Sequence, residues 1–327
     1  MIQNQPDIDF SKLKTFSIHD RKSKVSQDDF ATPWQSGCTF QQFLNGLPKI
    51  LAGADIRKTI DAIVCAVKNK RTVMLSMGAH VIKVGLNPLL IQLLEKGIID
   101  SIAMNGAGII HDTEIALAGK TSEDVSAALG DGQFGMARET AEFLCNAIDT
   151  TTHTQKGLGE AIGQAILDAN LPHANQSLTA SCVRLGIPVT VHVAFGTDII
   201  HMHHGFNPSA AGNATYKDFQ TFSSIVATLK QGVYMNMGSA VIMPEVFLKA
   251  LTLTRNLGYD AHSFTAINID FIRQYRSLTN VVNRPTESNG VGINIVGHHE
   301  ILFPMIAWGV MEQLSSVGCI PIKSNIL

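Results

Sequence analysis

The hydrophobic pattern along the chain switches between two periods. IRKTIDAIVCAVKNK (56–70) has apolar residues at 60, 63, 64 and 67, the spacing of one helix face. TVMLSM (72–77) is instead a short apolar run closed by Gly78, the pattern of a buried strand. PLLIQLLEKG (88–97) returns to helical spacing and ends on a glycine, and DSIAM (100–104) is the next strand. The alternation then predicts strand IPVTVHVA (187–194), a helix near 217–230, strand GVYMNM (232–237) and helix PEVFLKALTLTRNLG (244–258). Strands FTAINI (264–269) and GINIV (292–296) follow, and a last helix begins near His299. Such alternation predicts an α/β fold: a mainly parallel sheet with helices on both faces. Residues 1–45, with Pro6, Pro33 and Trp34, carry more charge and less periodicity. They read as an N-terminal extension to a single domain over 46–327.

In a parallel sheet of this kind ligands sit outside the carboxyl ends of the strands. The unusual residues of this chain gather there. The first strand runs into Gly78-Ala79-His80, and the second into Asn105-Gly106-Ala107-Gly108, then His111-Asp112. IPVTVHVA runs into GTDIIHMHHGF (196–206), with Asp198, His201, His203 and His204; later strands end at Gly238-Ser239 and at Gly297-His298-His299-Glu300. Most of the twelve histidines therefore lie in segments expected to line one cleft. NGAG reads either as a tight turn or as a close backbone approach to a ligand phosphate, and Gly238-Ser239 carries the same two readings. HMHH, if extended, places His201 and His203 on one face. With His80, His111, Asp198, His298 and Glu300 these are the residues from which a divalent metal site can be drawn. The alternative is a polar loop whose histidines bond backbone or substrate. His298 is a candidate acid or base, while Glu300, and equally Asp112 and Glu114, read as helix-start acids. GxSxG is absent, so nucleophile-elbow chemistry has no support.

Composition narrows the class. Hydrophobic residues are 45% of the chain and charged residues 16%, enough for a large buried core. A net charge of −2, with no basic stripe, gives no footprint for nucleic acid or an anionic membrane. Cys38, Cys65, Cys145, Cys182 and Cys319 are odd in number and scattered, unlike a disulfide framework. The polar N-terminus and the lack of a long apolar run fit a soluble, cytoplasmic protein.

The order of segments resembles the deoxyhypusine synthase family. LSMGAHVIKVGLNPLLIQLLEKGIIDSIAMNGAGIIHD (75–112) is similar to that family's strand–loop–helix–strand–loop, LGYTSNLISSG…MVDVLVTTAGGVEED. IPV…GTDIIHMH resembles its IPV…GDMIFFH, MNMGSAVIMPEV its ILGGGVVKHHI, RPTE (284–287) its ARPDE, and HHEILFP (298–304) its DASLVFP. The likeness covers roughly residues 47 to 315 in order. It implies a Rossmann-like domain binding NAD and a homotetramer with sites at dimer interfaces. It also implies that the N-terminal extension contacts a neighbouring site.

By the resemblance, NAD positions fall on Gly78, Ala79, His80, Val81, Ile82, Lys83, Asn105, Gly106, Ala107, His111, Gly238, Ser239, His298 and His299. Substrate positions fall on Ile110, His111, Asp198, Pro244 and Glu287. The family's catalytic lysine is replaced by Ile293 and its tryptophan by Val291. An isoleucine forms no Schiff base. Ile110 and His111 replace the two glutamates that hold a polyamine ammonium. Deoxyhypusine synthesis itself is therefore not expected. The expectation is a relative of polyamine-related transferases that binds NAD and carries out a redox-triggered elimination or group transfer on a small amine or related metabolite. His298 and His203 are the candidates for proton transfer, and Asp198 and Glu287 for orienting substrate. The alternatives are a metal-dependent hydrolase or lyase on the same scaffold, and a non-catalytic ligand-binding relative.

Overall fold

Every apolar run marked as a strand enters one sheet. The computed structural model describes residues 5–316 together with 318 and 319. Strands β1 Val73–Met77, β2 Ser101–Asn105, β3 Val189–His192, β4 Val233–Met237, β5 Thr265–Asp270 and β6 Val291–Val296 are all parallel, in the order β3-β2-β1-β4-β5-β6. This is the arrangement in which two mononucleotide-binding halves meet between β1 and β4.

Side chains alternate between the two faces along each strand, so each face has its own core. Leu75 and Met77 of β1, Met235 and Met237 of β4 and Ile267 and Ile269 of β5 share one cluster. Their neighbours Met74, Tyr234 and Ala266 share the other with Phe222, Phe247 and Phe264. Ile293, where the family has its lysine, is buried in β6 opposite Ile267 and is a core residue.

Before the sheet come α1 Phe40–Gly46 and α2 Leu51–Lys68, and α3 His80–Lys83 and α4 Asn87–Glu95 connect β1 to β2. Five helices connect β2 to β3: α5 Gly106–Ala118, α6 Val125–Leu129, α7 Arg138–Thr154, α8 Leu158–Asp168 and α9 Leu178–Arg184. Helix α10 Pro208–Val226 precedes β4 and α11 Ile242–Asn256 follows it. Helix α12 Tyr275–Ser277, a π turn and a 3₁₀ turn lead into β6, and α13 His299–Ser316 follows.

Helix α10 starts well before the expected position because the Asn207 side chain caps it, accepting from Ala210 N at 3.1 Å, with Pro208 in the first turn. Between residues 5 and 38 the backbone forms only 3₁₀ turns, and Phe10, Phe16, Phe30 and Trp34 are exposed there. No helix among the described residues is long and apolar enough to cross a membrane.

Candidate functional site

Because all six strands point one way, their carboxyl ends share one edge. The residues singled out there divide into two neighbouring groups. The first lies where the strand order reverses. Gly78 follows β1 and Gly238 follows β4, and a Cβ on Gly78 would lie 2.2 Å from the Gly238 carbonyl oxygen. Gly238 has φ +67°, and a Cβ there would lie 2.8 Å from Cε1 of His299. The turn is pinned from below. Asn236 Nδ2 donates to the Ser239 carbonyl at 2.9 Å and to Asn268 Oδ1 at 2.8 Å, and Ser277 Oγ donates to the same carbonyl at 3.1 Å. His299, fully buried at the start of α13, bonds His80 Nδ1 through its own Nδ1 at 3.2 Å and the Ile269 carbonyl through Nε2 at 3.1 Å. Asp270 closes β5 beside them, 3% exposed. Burial lowers the His299 pKa and raises that of Asp270, against the attraction between the two.

The second group surrounds a cavity of about 200 Å³ beyond β2 and β3, lined by Lys83, Ala107, His111, Glu114 and Asp198 together with Ile110, Phe134 and Ile199. Its histidine has a defined tautomer. Thr121 Oγ1 donates to Glu114, so its oxygen accepts from His111 Nδ1–H at 2.6 Å and Nε2 carries the lone pair. Burial, and then the Lys83 charge, push His111 down to about 4. The sign follows from linkage. Between that value and 6.5 the unfolded chain holds a proton at this residue that the folded chain does not, so stability falls as pH drops through that window. His111 is expected to stay neutral at pH 5.5 in an imidazole NMR titration, and His111→Gln to flatten the stability slope between pH 4 and 6.5. A midpoint near 6.5 would refute the assignment.

Asp198 is 8% exposed and its carboxylate rests against the first residue of α5: a Cβ on Gly106 would lie 2.0 Å from Oδ2. Asn105 caps the helix through Gly108 N at 3.3 Å. NGAG is therefore a helix start entered directly from a strand, neither a free turn nor an open phosphate cradle. The Asp198 oxygen that lies against the start of α5 is buried with no hydrogen-bond partner among the described residues, and burial raises its pKa. The strand-order reversal lies beside it. There the backbones of Gly78 and Gly238 pass without side chains. Val81 and Ile82 face the core and present no side chain to a ligand.

Several expected partners are elsewhere. GTDIIHMHHGF is not extended: Ile199–Met202 form a 3₁₀ turn, which denies His201 and His203 a common face. His201 Nδ1 accepts from Gly196 N and Asp198 N, both at 3.2 Å, and its ring lies between Phe195 and Phe206. His203 Nε2 bonds the Gly135 carbonyl at 2.8 Å. His298, just before α13, and Glu300, in its first turn, are exposed and 3.7 Å apart. Glu287 is exposed and precedes β6, at the opposite end of the sheet from this edge. Among the described residues no group of three or more His, Cys, Asp or Glu is placed to hold a metal ion. Among the histidines proposed as ligands, His80 bonds His299, His111 bonds Thr121, His201 and His203 bond backbone, and His298 is exposed beside Glu300. Asp270 and Thr121 escaped the sequence reading; the aspartate closing AINID (266–270), at a strand's carboxyl end, was the available signal.

No family model matches the chain, and no curated protein sequence matches it. Solved structures do. The ternary complex of AgrE with ornithine and NAD⁺ superposes with a TM-score of 0.50 at 10% identity, covering 82% of this chain and 34% of that one. A conserved putative LOR/SDH protein from Methanococcus maripaludis S2 gives 0.51 at 15% identity, covering 90% and 75%. A putative deoxyhypusine synthase from Entamoeba histolytica gives 0.48 at 12% identity, covering 86% and 96%. The chain spans about a third of the AgrE chain it matches. At these identities the likeness is one of fold.

Proposed function

We infer that the chain is an NAD(H)-binding enzyme that carries out a redox-triggered elimination or group transfer on a small amine or related metabolite. The observation that carries this reading is the reversal between β1 and β4 with Gly78, Gly238 and the His80–His299 pair at its mouth. The cavity holding His111 and Asp198 lies beside it and is of a size for a small substrate. AgrE, of similar fold, binds NAD⁺ and ornithine in its ternary complex, which supports the same ligand classes here.

A thermal-melt titration of chelator-treated protein with NAD⁺ and NADH tests it. At a hundred times its dissociation constant a ligand adds about 2.7 kcal/mol, which raises Tm by several degrees. No saturable shift with either form would end the reading.

The resemblance to the synthase family further supports a homotetramer whose dimer interfaces complete the sites, with residues 1–45 as an arm reaching a neighbour. The exposed Phe10, Phe16, Phe30 and Trp34 fit such an arm. Light scattering on the full chain is expected to give four copies, and removal of residues 1–45 to lower the melting temperature of the assembly. A monomeric full chain would contradict this.

A further inference from the structure

The two edge strands of the sheet are finished differently. At the outer edge of β3, α10 supplies side chains to the backbone. Asp218 Oδ2 accepts from Val191 N at 2.8 Å, and Thr215 Oγ1 donates to the Val191 carbonyl at 2.7 Å and accepts from Val193 N at 3.1 Å. Strand β6 closes the other side of the sheet. Val291 N donates to the Phe264 carbonyl and Gly297 N to that of Asp270, so the odd-numbered backbone groups of β6 face β5. Gly292, Asn294 and Val296 therefore aim their N–H and C=O groups outward, without a partner among the described residues. Nothing blunts this edge: VGINIV holds no charge and no proline.

Two further features meet there. Asn236, Asn268 and Asn294 stand side by side on β4, β5 and β6, their amides joined at 2.8 and 2.9 Å. This ladder stops at the edge with Asn294 Nδ2 buried and unpartnered among the described residues. Val291 and Val296 are exposed on the strand itself, and Phe271 and Ile272 are exposed where β5 ends beside it.

We propose that β6 pairs antiparallel with the β6 of a second copy of this chain, about a two-fold axis through Asn294, joining two sheets into one. The strand itself fixes the register. An axis perpendicular to the sheet keeps each side chain on its own face, and only Gly292, Asn294 and Val296 offer outward groups. Centring on Asn294 uses all three: Asn294 meets Asn294, Gly292 meets Val296, and on the other face Ile293 meets Ile295. A second Asn294 brings an amide oxygen to the open end of the ladder, and the glycine opposite Val296 leaves room for its side chain. The occupant is another copy because the strand complements itself in this register and carries no charge to select a foreign one. The pairing supplies one interface of the assembly proposed above and does not depend on the nicotinamide reading.

Cysteine cross-linking of the full chain tests it, with the exposed native thiols Cys38, Cys65 and Cys319 replaced by serine. Across a hydrogen-bonded antiparallel pair the Cα atoms are about 5.5 Å apart, within disulfide range, so Asn294→Cys should give a covalent dimer under mild oxidation. In the same register Val291 lies about 20 Å from its copy and Val296 about 14 Å, so Val291→Cys and Val296→Cys should stay uncross-linked. Val296→Lys, which puts a charge on the exposed edge, should halve the mass seen by light scattering, while Val296→Thr keeps it. If either the cysteine or the lysine variant fails to fold, the other decides. A monomeric full chain overturns the proposal. So does a mass unchanged by Val296→Lys, or cross-linking at Asn294 no faster than at Val291 and Val296. In a chain of four copies either of these last results removes this interface and leaves the assembly standing.

Discussion

Alanine in place of Asp112 is expected to lower the stability of the fold by about 4 kcal/mol. Asp112 is fully buried on α5, one residue after His111, and faces away from the cavity. Its carboxylate gathers five donors. Oδ1 accepts from Leu178 N at 2.7 Å and Asn87 Nδ2 at 3.3 Å. Oδ2 accepts from Thr179 N at 3.0 Å, Ser177 Oγ at 2.7 Å and Thr179 Oγ1 at 2.7 Å. One side chain thus caps α9 from another helix and holds the wall of the cavity against it. Burial raises the Asp112 pKa, and the hydroxyl and amide donors pull it back. Truncation leaves those donors buried without an acceptor, a cost of about 1–3 kcal/mol for each group that water cannot reach. Urea unfolding would show a lower midpoint, and the His111 resonances would broaden as α5 loosens. An unchanged midpoint would mean that the carboxylate's desolvation cost cancels its bonds.

Six strands and the edge where their carboxyl ends meet are legible in this sequence because buried parallel strands are continuous apolar runs, several of them closed by glycine. The segment between β2 and β3 is not, and it holds five helices. Three of its helices start on polar caps: Asn105, Asp124 and Ser177 each accept from a backbone amide two or three residues on, while α7 and α8 start without one. Asn105-Gly106 looks like a turn because glycine disfavours helices, yet glycine is required there by the Asp198 carboxylate. The histidines mislead for a related reason. Spacing says that His201 and His203 are close but not which acceptor each ring finds, and backbone claims both. His80 and His299, 219 residues apart, meet only because β1 and β6 end on the same edge and α13 starts over the end of β5. Asp112 shows the limit from the other side. Read as a helix-start acid for its own helix, it caps a different one.

Gly238→Ala is expected to cost about 2–4 kcal/mol, from two separable causes. The left-handed backbone, φ +67°, penalises any side chain by about 1–2 kcal/mol. The remainder comes from the new methyl, which would sit 2.8 Å from Cε1 of His299 and push a fully buried ring. Gly258→Ala separates the two. Its φ is +87° and nothing lies within 4 Å of its Cβ position, so it carries the backbone penalty alone. The difference between the two variants in urea unfolding therefore measures how rigidly His299 is held. That rigidity links fold to function at this site. Moving the ring lengthens its bond to the Ile269 carbonyl, frees the His80 tautomer and disturbs the close packing of Gly78 on Gly238. Gly238→Ala should lose most of the NAD⁺-induced rise in Tm, while Gly258→Ala keeps it. Equal costs for the two variants and an undiminished NAD⁺ response in both would show that His299 is loosely packed, and the crevice would lose its claim to be a preorganised site.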